Sequence, residues 1–335
     1  MKTDGIINVY KEKGYTSHDV VAKLRGILHI RKIGHTGTLD PDATGVLPVC
    51  IGRATKVCEL LTDHDKTYEA VAVLGITTDT LDTSGETLTC REVNVTRNEL
   101  EDVLTHFRGE IEQVPPMYSA VKINGKKLYE YAREGIEIER KKRKITIHEL
   151  ELLSYDETDT RTADEAMKKP TFTIRVKCSK GTYIRTLIDD IGKMLGCGAA
   201  MDDLVRTEVG RFTLDQAVTL SEIEEKAAAD AWGELLLPLE SIFERCPAYC
   251  VIEDAMKLLQ NGNPLTREQL VAAAGTDSET ETGEQQADIE TATVHPAGAE
   301  KNGCVRVYGT DGEFYALYQY NENKKRFTVE KFFHV

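Results

Sequence analysis

Apolar positions return at helical spacing between residues 17 and 29, where Val20, Val21, Leu24, Ile27 and Leu28 share one face and Ser17 stands where a cap is needed. The glycines of residues 34–56, GHTGTLDPDATGVLPVCIGRATK, break that pattern, and the stretch reads as a tightly folded loop. Thr67 to Leu74 (TYEAVAVL) has β-branched and aromatic content on both faces, which predicts a central strand. Thr96 with Glu99 forms a capping box ahead of Leu100, Val103, Leu104 and Phe107, a helix ending near Gly109. An acidic, irregular linker is expected over 154–169. Residues 171–178 (TFTIRVKC) then alternate as a strand, Ser179-Lys180-Gly181 turns the chain, and a helix beginning near Thr182 buries Leu187, Ile191 and Leu195. Ser221 with Glu224 predicts one more capped helix, and Pro238 marks the end of the large domain. The remaining chain carries VRVYGTDGEFYALYQY, with an Asp-Gly turn, and FTVEKFF, the pattern of a small β-rich module.

A chain of 335 residues that is 41% apolar and 29% charged divides naturally into one large and one small domain, expected at 1–240 and 246–335. Residues 271–301, low in apolar side chains, interrupt the second as a surface insert. The start, MKTDGIINVYKEKG, lacks the pattern of a signal peptide, and no apolar run approaches the ~20 residues of a membrane helix. No membrane association and a cytoplasmic location are the expectations. The eight cysteines (50, 58, 90, 178, 197, 246, 250 and 304) and eight histidines are dispersed, so reduced thiols and no metal site are expected.

The net charge of −14 argues against a nucleic-acid partner until its distribution is considered. Residues 271–300 hold seven acids and no Lys or Arg, half of the excess in one segment. Residues 122–148 carry nine bases against four acids, including the run RKKRK, and the first 62 residues are also net basic. In QVPPMYSAVKINGKKLYEYAREG (113–135) the bases interleave with Tyr118, Tyr129 and Tyr131, a combination suited to phosphate contacts and base stacking on non-helical RNA. A solvated charged face is the plain structural alternative.

Within the 34–56 loop, Asp40 precedes Pro41, which biases it toward an extended backbone in a setting suited to a catalytic carboxylate. Asp40 and Asp42 acting only as turn caps is the bland alternative. Asp40 to Thr44 also fits D-x-D-x-T, the aspartyl-phosphate motif of Mg-dependent phosphatases, with Lys180 and Asp189-Asp190 following in a workable order. That pattern is short, and HTGTL is a poor strand to carry such a nucleophile.

GHTGTLDPDATGVLPV resembles the signature loop of the TruB family of tRNA pseudouridine synthases, and CSKGTYIRTLIDDIG and the 113–135 stretch match the same family. The resemblance implies an α+β fold, a mixed and largely antiparallel sheet with flanking helices, and for the C-terminal part a PUA-like RNA-binding domain. It implies isomerisation of the T-loop uridine at tRNA position 55, flipped out of the folded T-arm, with no cofactor. By the same match Asp40 is catalytic, Arg185 pairs with it, and Tyr68 packs on the target uracil. Tyr183 lines the uracil pocket, His35 contacts RNA, Leu204 packs against the base, and Lys66 lies beside Tyr68 on the substrate side. An Asp40–Arg185 pair is expected to lower the carboxyl's pKa and keep it ionised. The partner expected is the tRNA T-arm stem-loop, with the protein a monomer. A non-catalytic RNA-binding protein or tRNA-folding chaperone using the same surface is the alternative from another class.

Overall fold

The computed structural model describes residues 4–157, 169–273 and 303–334. The chain divides into two compact units. One comprises Ile7–Cys50 with Val57–Leu235, the other Met1–Ile6, Ile51–Lys56 and Leu236–Val335.

The larger unit begins with β1 (Gly5–Lys11), α1 (Ser17–Leu28), β2 (Ile33–His35), β3 (Thr44–Ile51) and α2 (Cys58–Thr62). Then come β4 (Lys66–Leu74), the hairpin β5 (Ile76–Thr78) and β6 (Thr87–Cys90), α3 (Arg97–Thr105) and β7 (Gly109–Gln113). A second small hairpin, β8 (Lys122–Ile123) and β9 (Lys126–Lys127), leads into α4 (Leu128–Arg133). The unit continues with β10 (Arg143–Asp156), β11 (Thr171–Cys178), α5 (Ile184–Met194), β12 (Ala199–Val209), β13 (Phe212–Thr213) and α6 (Leu220–Ala228). The main sheet runs β1-β3-β12-β4-β11-β10-β7, with β2 paired to β3 and β13 to β12. From β12 to β7 every pairing is antiparallel, whereas β12 and β3 pair in parallel, so the sheet is mixed and largely antiparallel and the fold is α+β. β4 stands in the middle, as its two apolar faces predict.

Helices α3 and α5 cover one face of this sheet. Leu100 and Leu104 of α3 join Leu187, Ile188 and Ile191 of α5 over Ala70, Ala72, Ile174 and Val176 in one buried cluster. Apolar burial of this kind, worth about 25 cal/mol per Å², holds the helices to the sheet. The chain's second unit carries a five-stranded sheet ordered β15-β14-β16-β17-β18, formed by β14 (Ala248–Val251), β15 (Leu270–Ala272), β16 (Cys304–Tyr308), β17 (Phe314–Asn321) and β18 (Arg326–Phe332). Helix α7 (Met256–Gln260) packs Leu259 against Val307 and Tyr318 of that sheet. The Asp311-Gly312 turn falls between β16 and β17 as expected.

Several local expectations are corrected. Residues 44–51, placed in a loop by their glycines, form β3, because Val46 to Ile51 are buried and the run is a central strand. Thr16 rather than Ser17 caps α1, in a capping box with Asp19. Thr219 with Glu222 caps α6, two residues before the anticipated pair. Residues 158–168 of the expected linker and 274–301 of the expected insert lie outside the described residues, while 154–156 and 271–272 belong to β10 and β15. None of the eight cysteines, all among the described residues, is in a disulfide. Among the described residues no helix is long and apolar enough to cross a membrane.

Candidate active site

With β2 and β3 removed from it, the loop that carries Asp40 shrinks to residues 36–43, and its backbone is pinned from α1 and β1. The Ser17 hydroxyl, free of capping duty, accepts from the Leu39 N–H at 2.9 Å and lies 3.4 Å from the Leu39 carbonyl. Gly14 N–H donates to the Pro41 carbonyl at 2.9 Å. Lys11, fully buried, donates its ammonium to the carbonyls of Pro41 (2.9 Å) and Ala43 (2.5 Å). Burial pushes the Lys11 pKa down to about 8, partly offset by Asp40 and Asp42. These three anchors fix the chain on either side of Asp40.

Arg185, on the first turn of α5 and 7% exposed in its side chain, places Nη2 3.0 Å from a carboxylate oxygen of Asp40. The same guanidinium donates to the carbonyls of Thr80 (3.0 Å) and Tyr118 (2.8 Å) and lies 3.6 Å from Asp82. Asp82 is itself oriented by Thr80 Oγ1, Ser84 Oγ and the Ser84 N–H. Each planar guanidinium edge therefore has an acceptor, which sets the direction in which Asp40 is held.

The Asp40 carboxyl is nevertheless raised above its ordinary value, first by desolvation, then by Asp82, against the lowering by Arg185. This reverses the expected direction. Although 43% of the side-chain surface is reachable by water, desolvation is the largest cause, and a second acid, Asp82, shares the Arg185 guanidinium.

The aromatic residues take up positions around this pair. Tyr68 of β4 is buried and joins Leu39, Ala43, Ile184 and Leu204 in one core cluster. Tyr183 caps the start of α5, and Gln113 at the end of β7 grips its backbone, donating to the carbonyl at 3.0 Å and accepting from the N–H at 2.8 Å. His35, at the end of β2, accepts at Nδ1 from the Gly37 N–H (3.4 Å), and burial lowers its pKa. Lys66 does not face an open site. It is buried and donates to the carbonyls of Thr62 (2.8 Å) and His64 (2.6 Å) at the end of α2, its pKa lowered to about 8 by burial.

Asp82, Gln113, Ser17 and Lys11 are the residues that sequence reasoning missed. Asp82 lay in the polar run TTDTLDTSGE, where nothing in the spacing separates it from Asp79. The interleaved bases and tyrosines of 122–133 are in part satisfied by one another: Lys126 lies over Tyr131, and Lys127 and Arg133 over Tyr129. In the RKKRK run, Lys142 and Lys144 pair with Glu112 and Glu110. The residues needed for a phosphatase diverge from Asp40, since Lys180 pairs with Asp63 at 2.7 Å and Asp189 and Asp190 pair with Lys193.

Comparison with known proteins gives a consistent picture. The model of the TruB family pseudouridylate synthase N-terminal domain matches residues 25–184, and that of the tRNA pseudouridylate synthase B C-terminal domain matches 185–244. The tRNA pseudouridine synthase B of Lachnoclostridium phytofermentans is 46% identical over 330 residues, covering 98% of this chain and 99% of the relative. That of Geobacillus thermodenitrificans is 49% identical over 261 residues, 77% of this chain and 84% of the relative. A chain in the crystal structure of a Cbf5-Nop10-Gar1 complex superposes with a TM-score of 0.67 at 26% identity, covering 99% of this chain and 85% of that one. A chain of an H/ACA ribonucleoprotein bound to a substrate RNA containing 2′-deoxyuridine gives 0.65 at 25% identity, with the same coverage.

Proposed function

Because this chain belongs to the TruB family of pseudouridylate synthases, we propose that Asp40, directed by Arg185, carries out the isomerisation of a tRNA uridine to pseudouridine. The observation that carries the assignment of the residues is the 3.0 Å Arg185–Asp40 pair, with Tyr68 buried in the same core cluster as Leu39 and Ala43 on either side of Asp40. The chain is a tRNA pseudouridine synthase, an isomerase of RNA uridine, as its relatives of 46–49% identity are named.

The reaction breaks the N1–C1′ bond, turns the uracil and joins C5 to C1′, with the C5 proton lost to solvent and N1 protonated. Atoms balance without an oxidant, a reductant or an energy source. Of the two carboxylates at Arg185, Asp40 is the closer and the more exposed, and it is the anion offered to the sugar and base. Arg185 holds it in position, and its raised pKa makes it a stronger base than an exposed Asp once ionised. We assign the substrate as the T-loop uridine, position 55, in the T-arm. Flipping a stacked uridine costs a few kcal/mol, which stacking on Tyr68 and backbone contacts from the basic 122–148 region would offset. Tyr183 lines the pocket and Leu204 packs beneath the base, with His35 at the RNA-facing rim. Lys66 donates to the Thr62 and His64 carbonyls at the end of α2, which fixes the start of β4 that carries Tyr68. The PUA-like C-terminal domain holds the RNA outside the active site, and the protein acts as a cytoplasmic monomer without a protein partner.

Tritium release from C5-labelled uridine in a T-arm stem-loop RNA, measured in EDTA for wild type and Asp40→Asn, tests this reading. Release by wild type alone supports it. Release by neither protein, with RNA binding intact, would leave the chaperone reading.

A further inference from the structure

Arg206 is the largest side chain with almost no exposure among the described residues, at 1%, and none of the roles above uses it. The sheet register places it opposite Tyr68 of β4 on one side and opposite Gly45 of β3 on the other. Its Nε donates to the Val46 carbonyl at 2.7 Å, and its Nη2 points to the Gly37 carbonyl at 3.4 Å. Gly37 and Val46 are the two limbs from which the Asp40 loop springs. One buried cation thus holds both limbs, with Tyr68 as its register partner on the neighbouring strand.

The placement is costly. A guanidinium in the interior with acceptors but no carboxylate partner among the described residues loses its hydration without a compensating ion pair. Its charge also bears on Lys11, His35 and Lys66, lowering the pKa of each. An apolar side chain would fill the space without these penalties. The approach is tight enough that a Cβ on Gly45 would stand 2.2 Å from the Arg206 carbonyl oxygen, so the glycine there, at φ +104°, is required by Arg206's own backbone.

We propose that Arg206 is a positioning residue for the isomerisation: it ties Gly37 and Val46 into one rigid frame across from its register partner Tyr68, so that the Asp40 carboxylate and the ring that receives the uracil keep a fixed separation. The inference rests on the synthase reading above. It predicts a defect in the chemical step and not in RNA capture, because the Arg206 side chain is itself sealed from solvent.

The test is single-turnover tritium release on the C5-labelled T-arm RNA with saturating full-length enzyme. Wild type, Arg206→Lys, Arg206→Ala, Tyr68→Phe and the Arg206→Lys/Tyr68→Phe double variant are compared, alongside RNA affinity and urea midpoints. Arg206→Lys, which keeps the charge but not the planar fork, is expected to slow release at least tenfold with RNA affinity within twofold of wild type. Added methylguanidinium should restore part of the rate of Arg206→Ala. The double variant should be no slower than the slower single, since the two residues are register partners acting on the same frame. Wild-type rates in Arg206→Lys would overturn the proposal. So would a loss of rate that merely follows a loss of RNA affinity or of folded protein without rescue, or a failure of both Arg206 variants to fold, since each makes Arg206 a core residue only. An inactive wild type would instead sink the synthase reading.

Discussion

Replacing Asp82 by Asn separates the two effects that the second carboxylate exerts on the site. The amide keeps the shape and one acceptor oxygen for Thr80 and Ser84, but it removes the charge 3.6 Å from Arg185. Coulomb's law at an effective dielectric of about 20 gives roughly 4 to 5 kcal/mol for such a pair. Arg185 keeps Asp40 and two carbonyls, and Asp82 is 20% exposed, so the net loss in holding the guanidinium is nearer ~1–2 kcal/mol, a ~5- to 30-fold slower plateau rate. The pH profile moves the other way. Asp82 raises the Asp40 pKa, so its removal lowers that pKa and extends the acid limb of the activity to lower pH. Arg185→Met must shift the limb upward, since Arg185 lowers the same pKa. The assay is single-turnover tritium release from pH 4.5 to 8 on T-arm RNA. A slower Asp82→Asn plateau with an unmoved or raised acid limb would refute the account of two acids sharing one cation.

Three further outcomes follow from the same geometry. Asp40→Asn is expected to unfold at a higher urea concentration than wild type at pH 7: a carboxyl raised in the fold costs stability once ionised, a cost absent below its ordinary value of 3.8 and complete above the raised one, so the difference should vanish toward pH 3. Lys11→Met should lower stability by about 1–3 kcal/mol in urea titrations, because the Pro41 and Ala43 carbonyls lose their donor, with the effect concentrated in hydrogen exchange of the 36–43 loop. Gly45→Ala, forced to φ +104° against the Arg206 carbonyl, should cost at least ~2–3 kcal/mol and abolish tritium release even where folded protein is recovered; a variant with wild-type midpoint and rate would show that β3 and β12 yield there.

The central strand β4, the β11 strand, the capping box at Thr96 and the Asp-Gly hairpin were all legible in the chain, because period-2 and period-3.6 burial and local side-chain to backbone bonds depend on residues a few positions apart. The same locality made Asp40 visible, through a loop of unusual wording next to an acid-proline pair, and family resemblance supplied Arg185, Tyr68 and Tyr183. Where local signals competed, they were misread: Ser17 and Thr16 cap helices equally well on paper, and only the arrival of Leu39 from the far side of α1 claims the Ser17 hydroxyl. Asp82 beside Arg185, Gln113 on the Tyr183 backbone, Lys11 under the loop and Arg206 between Tyr68 and Gly45 depend on sheet register and on which strands become neighbours. The sign of the Asp40 pKa shift depends on them too. Desolvation and charge fall off over a few ångströms of space and carry no trace along the chain, so a pairing argument alone predicted a lowered pKa, and burial in the fold raised it.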